Sequence, residues 1–159
     1  MRARSVIALT LASVLGTVLV STGPAAAAGK SDVAKVRAMT AKYHNVAAAE
    51  ADGWQRASEC VPGMGYHYVN PAYAFAASEL PTALLYIPSG DRLRLVAVEW
   101  VVFDADQDME LDESWSRFGQ TFHGPMSHGI PIHRELHVWV WQGNPDGLFA
   151  QTNPNVVCP

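Results

Sequence analysis

Two histidines and a carboxylate recur at alternate positions in His133-Arg134-Glu135-Leu136-His137-Val138-Trp139-Val140-Trp141. Successive side chains of a strand point to opposite faces. Read as a strand, the stretch aims His133, Glu135, His137, Trp139 and Trp141 one way, and Arg134, Leu136, Val138 and Val140 the other. The second set is an ordinary apolar core face after its first member. The first set offers imidazole and carboxylate, the donor types that bind zinc, copper or iron, with two indoles able to wall the site from water. The alternative is a solvated face carrying a surface tryptophan pair, and two exposed indoles would themselves need a reason. The stretch does not fit a zinc-protease helix, because the acid follows the first His by two positions rather than one.

Three further groups extend this set. His67 follows Gly63 and Gly65, which let the backbone turn tightly before it. Flanked by Tyr66 and Tyr68, it reads as structural unless the fold brings it to the His133–His137 strand. Glu99 interrupts a run, Leu93 to Phe103, that is apolar on both faces. A buried carboxylate must be paired, protonated or metal-bound; an ion pair with Arg134 or Arg94 is the structural alternative. Met126 and His128, a weaker pair on a loop, would favour copper, since thioether suits Cu(I). The acidic stretch Asp104 to Glu113 fails as an EF-hand: Met109 and Trp115 stand where the turn glycine and the bidentate Glu belong. It reads as a solvated loop. No serine lies in a nucleophile-elbow pattern and no glycine-rich phosphate loop is present, which argues against nucleophilic hydrolysis and nucleotide chemistry.

These side chains need a scaffold. Ser31 to Asp52 reads as one helix, with Val36, Met39, Tyr43, Val46 and Ala47 at helical spacing and Gly53 as its stop. Tyr66–Val69, Thr82–Ile87, Arg92–Phe103 and His133–Gln142 read as strands, with Leu148–Thr152 as a short last one. Pro88-Ser89-Gly90-Asp91 is the turn of a hairpin. Phe118 to Pro131 reads as a Gly- and His-containing loop. The expected fold is α+β, an N-terminal helix packed on a curved antiparallel sheet or small barrel.

The ends of the chain predict export. Arg2 and Arg4, the apolar run Val6–Val20 and the small residues Ala25–Ala28 have the order of a secretory signal peptide. Cleavage is expected after Ala28, leaving 29–159 as a single secreted domain without a stable membrane anchor. That part keeps nine Lys and Arg against fifteen Asp and Glu, a formal charge of −6. Such a balance disfavours nucleic acid and anionic membrane as partners. Two cysteines, Cys60 and Cys158, in an exported chain suggest one disulfide, the other possibility being a pair of metal-binding thiolates.

Several segments together carry a family resemblance: Met64-Gly65-x-His67-Tyr68-x-Asn70-Pro71, Ala83-Leu84-Leu85-Tyr86-x-Pro88, Val98-Glu99 and Gly124-Pro125-Met126. They continue through His133-x-x-Leu136-His137-Val138-Trp139, Asn144-Pro145-x-Gly147-x-Phe149 and Asn153-Pro154-x-Val156-x-Cys158. Over most of the mature chain the sequence resembles an uncharacterised family of small secreted bacterial proteins. The resemblance implies no activity. It marks His67, Glu99, His133 and His137 as the positions of interest, and it implies an acid, usually Asp, where this chain has the longer Glu135.

Three functions follow as expectations. The first is a secreted metal-binding protein, with a divalent transition metal (zinc, copper or iron) held by His67, His133 and His137. Glu99 or Glu135 would serve as a fourth ligand or as a carboxylate orienting an imidazole. The second is a non-enzymatic module whose Tyr66, Tyr68, Trp100, Trp139 and Trp141 line a pocket for a small apolar ligand or sugar. The third is an interaction domain held by the disulfide.

Overall fold

A computed structural model describes residues 24–75, 78–111, 114–127 and 130–159. Most of the expected signal segment, and His128, lie outside the described residues. Helix α1 (Pro24–Thr40) already spans the expected cleavage point. No helix among the described residues is long and apolar enough to cross a membrane.

The single expected helix is broken in two. After α1 comes a 3-10 turn at Ala41–His44, then α2 (Val46–Ala51). Two polar side chains mark the break. Thr40 Oγ1 donates to the Val36 carbonyl at 2.7 Å, and the Asn45 side chain caps α2 by accepting from the Ala47 N–H, as Asn does at an N-cap. Gly53 ends the unit at φ +95°. Its N–H donates to Glu50 O and that of Trp54 to Ala49 O, the paired bonds of a Schellman cap.

The strands are β1 (Gln55–Arg56), β2 (Tyr66–Val69), β3 (Ala83–Ser89), β4 (Arg92–Phe103), β5 (Ser116–Arg117), β6 (Gln120–Thr121), β7 (His123–Met126) and β8 (His133–Val138). Six form one sheet in the order β1-β2-β3-β4-β8-β7, and β5 and β6 pair separately. The main sheet is antiparallel at every junction. It is an open α+β sheet, not a barrel. The expected Phe118–Pro131 loop instead supplies the second strand of the β5–β6 hairpin and the edge strand β7. Its Gly124 and Pro125 hid that role, and Pro is tolerated in sheets chiefly at such edges.

Both faces of the sheet are covered, which is why β4 from Leu95 to Val102 is buried and, but for Glu99, apolar. On one face Val33, Val36, Tyr43, Ala49 and Trp54 pack against Leu84, Tyr86, Leu95, Val98, Trp100, Leu136 and Val138. The Tyr86 hydroxyl donates to the Tyr43 carbonyl at 2.6 Å, tying sheet to helix. On the other face Ala83, Leu85, Ile87, Ala97 and Trp139 meet Val156 of the C-terminal tail. Leu85 pairs with Ala97 but Tyr86 with Leu95, so Val96 is an extra residue on β4. The bulge lets Leu95 and Val98 both face the helices.

The tail reaches the second face as a series of turns, not as the expected strand Leu148–Thr152. Asn153 N–H donates to Gly63 O, Gly63 N–H to Val156 O, and Trp139 N–H to Leu148 O. Cys60 and Cys158 form the expected disulfide, their Cα atoms 5.7 Å apart and 98 residues apart in the chain.

Candidate metal centre

Strand register explains how distant residues meet. Glu99 lies directly opposite His137, and Val101 opposite Glu135, where β4 pairs with β8. His67 lies on β2 opposite Leu85, on the tail-covered face. To reach Glu99 it must span β3, about 9–10 Å between outer strands. Ala83, which pairs with Glu99, presents only a methyl group there, so the imidazole and carboxylate can extend over it. His67 Nε2 comes within 3.8 Å of Glu99 Oε2. The rings of His67 and His137 stand 6.5 Å apart, nearly perpendicular.

His67, Glu99 and His137 each offer one ligand atom such that all three lie within 4.8 Å of one another. Donors bound to one ion at roughly 2.0–2.1 Å stand about 3–4 Å apart. The His67 Nε2 to Glu99 Oε2 distance of 3.8 Å already falls in that range. Glu135 and His133 form the adjoining layer. Glu135 Oε1 is 3.7 Å from His137 Nδ1, and its Oε2 is 3.4 Å from His133 Nε2. Gln151, from the covering tail, donates to Glu135 Oε1 at 3.4 Å. His133 Nδ1 lies 2.9 Å from Pro131 O. A carbonyl only accepts, so Nδ1 carries a proton, while Nε2 faces Glu135.

Five titratable groups thus share a dry region. The His67 side chain is 15 % exposed and that of Glu99 5 %, while those of His133 and His137 are 0 % exposed. The His67 edge is where the cluster meets solvent. Burial, then the charge of Glu135 and a hydrogen bond with it, push the Glu99 carboxyl well above the usual range. Burial also opposes the charge on Glu135. The His133 hydrogen bond, the neighbouring His137 and the Glu99 hydrogen bond outweigh it and hold that carboxyl low. Burial disfavours the charged form of His133, yet its bonds to Glu135 and Pro131 raise it. Burial and the neighbouring charge thus favour the neutral form of Glu99, and the surrounding imidazoles favour the charged form of Glu135.

Other expected site residues are placed differently. Trp139 stays with the cluster, its ring parallel to that of His137 at 6.2 Å, and its Nε1 donates to Ala150 O. Trp141 does not. The chain turns after Val138, with Val140 N–H donating to Val138 O and Trp141 N–H to Val96 O at the bulge. Trp141 thereby packs on the helix side and donates to Thr40 Oγ1. Tyr66, Tyr68 and Trp100 also belong to the helix side, as strand alternation around His67 and Glu99 requires. The expected Tyr/Trp-lined pocket is not assembled. Glu99 pairs with neither expected arginine: Arg134 lies 3.9 Å from Asp104, and Arg94 donates to Gln142. Met126 stands opposite His133 in register, on the edge strand. Asp104, Asp106 and Asp108 also gather within 4.8 Å, but Arg134 already offsets the buried charge of Asp104. Ser58, hydrogen-bonded to His67, and Gln151 join the site without any spacing signal in the sequence.

Gly65 fixes the approach to His67. It sits at φ +95°, and a Cβ there would lie 2.3 Å from the Tyr86 carbonyl oxygen. Gly119 has φ +73° but open space around it. Gly65→Ala should therefore cost about 2–4 kcal/mol in urea unfolding, combining backbone strain with a clash. Gly119→Ala should cost only ~1 kcal/mol. Equal losses at the two positions would show that the close approach to β3 carries no weight.

No protein-family model matches this chain, and no curated protein or solved structure matches it.

Proposed function

We propose that the protein is an exported metal-binding protein whose centre is formed by His67, Glu99 and His137. The observation that carries this reading is their convergence within 4.8 Å from three different strands of one sheet. Two imidazoles and one carboxylate are the donor set of open zinc and non-haem iron sites, and copper accepts the same ligands. Such a set leaves coordination positions for water or a small ligand arriving from the His67 edge. Glu135 is the outer carboxylate: it lies beside His137 Nδ1 and can orient that ring. The Cys60–Cys158 bridge accords with export, since such bonds persist in oxidising compartments.

The test uses the oxidised, chelator-stripped protein. Zinc, copper(II) and iron(II) are titrated separately and followed by calorimetry, with elemental analysis of protein secreted from its natural host. One equivalent of metal per chain and a raised melting temperature are expected. Metal-free secreted protein whose melting temperature ignores all three ions would sink the reading.

A further inference from the structure

We infer that Ser58 is a positioning residue for this centre, fixing His67 so that Nε2 is the nitrogen offered to the metal. The inference rests on the metal reading above and specifies how one ligand is held. Ser58 Oγ lies 3.1 Å from the His67 backbone nitrogen and 3.1 Å from His67 Nδ1. The backbone N–H can only donate, so one acceptor site of the hydroxyl is committed to it. A second lone pair remains to accept from Nδ1–H. With the proton on Nδ1, the lone pair resides on Nε2, and Nε2 is the nitrogen that faces Glu99 at 3.8 Å. An acceptor on the far nitrogen is the usual device for setting the tautomer and orientation of a metal-bound imidazole.

His67 needs this help more than its neighbours. His133 and His137 are fully buried, so packing fixes their rings. His67 lies at the solvent edge of the cluster. The hydroxyl in turn is held in place by the backbone around it. Ala57 N–H donates to His67 O, extending the β1–β2 pairing. Arg56 Nε donates to Ser58 O, and the disulfide begins two residues later at Cys60.

The test compares wild type, Ser58→Ala and Ser58→Thr as full-length oxidised chains with zinc as the probe. Ser58→Ala should weaken zinc binding by ~10–100-fold, the range seen when an orienting partner is removed. Ser58→Thr keeps the hydroxyl and should restore most of the affinity. Ring-nitrogen NMR of the zinc-loaded wild type should show His67 bound through Nε2 with a proton on Nδ1. That measurement does not depend on how either variant folds. Wild-type affinity in Ser58→Ala, or zinc on Nδ1, overturns the inference while leaving the metal site standing. Failure of the wild type to bind zinc, copper or iron removes the metal site and the inference together.

Discussion

Glu99→Gln should lower zinc affinity by ~100-fold or more while leaving the metal-free protein about as stable as wild type. The two halves of this result have separate causes. A complete four-ligand zinc site contributes ~10–16 kcal/mol, so one ligand accounts for ~3 kcal/mol, and each 1.4 kcal/mol is about tenfold. Without metal, burial and the neighbouring Glu135 charge push Glu99 toward its neutral form. A glutamine amide has the shape of that neutral acid and can donate to Glu135 in its place. Stability should even turn in favour of the variant as pH rises. The unfolded Glu99 loses its proton near its ordinary value of 4.5, whereas the folded one retains it. Its contribution is fully present below that pH and is lost as pH climbs toward the raised folded value. Glutamine has no such loss. Glu135, held low, acts in the opposite sense: its contribution is present above its ordinary range and is lost as pH falls. That loss is common to both proteins. Chemical denaturation between pH 4.5 and 8, paired with zinc calorimetry, measures both halves. Undiminished zinc affinity in Glu99→Gln would remove Glu99 from the ligand set. His137→Ala would not separate the effects, since it also empties a fully buried ring position beside Trp139.

What could be read from the sequence was whatever depends on alternation within one strand. The bounds of β2 and β4 follow from apolar patterning and flanking Gly, Pro and Asp. The shared face of His133, Glu135 and His137 follows from period two, and the disulfide from there being two cysteines in a chain that reads as exported. What escaped depends on register and on single-residue irregularities. The extra residue Val96 is invisible in a strand that is apolar on both faces, yet its carbonyl receives Trp141 N–H and draws that indole to the helix side. For Glu99 the sequence offered a metal or, as the structural alternative, an arginine. Its true neighbour, Glu135, follows only from the β4–β8 register that sets Glu99 against His137. The approach of His67 needed the pairing of β2 with β3 and the small Ala83 beneath it. One error was avoidable. Tyr66 and Tyr68 alternate with His67, so period two alone puts them on the face away from any site His67 builds.

Removing the disulfide, by Cys60→Ala with Cys158→Ala, should destabilise the protein by ~4–5 kcal/mol in the chain-entropy account for a loop of about 100 residues. For a domain of this size that is roughly a 10–20 °C fall in melting temperature. The effect should also be uneven. The bridge closes a small circuit in which Gly63 exchanges backbone bonds with Val156 and Asn153, and the tail then carries Ala150 to Trp139 and Gln151 to Glu135. The helix-side core lies across the sheet and shares none of these bonds. In the bridged protein the tail is anchored at both ends. In the variant it is held by Val156, Leu148 and Phe149, by backbone bonds, by the Trp139 indole, and by the side chains of Gln142, Asn144 and Asn153. Hydrogen exchange at Gly63, Asn153 and Val156 should therefore accelerate more than exchange in β3 and β4. Zinc affinity should weaken with it, because the tail covers the Glu135 side of the cluster and Cys60 lies two residues from Ser58. A uniform rise in exchange across the sheet would mean that the bridge stabilises the domain only as a whole. Protection of the three tail-side amides matching wild type would mean that packing alone seats the tail over the histidines.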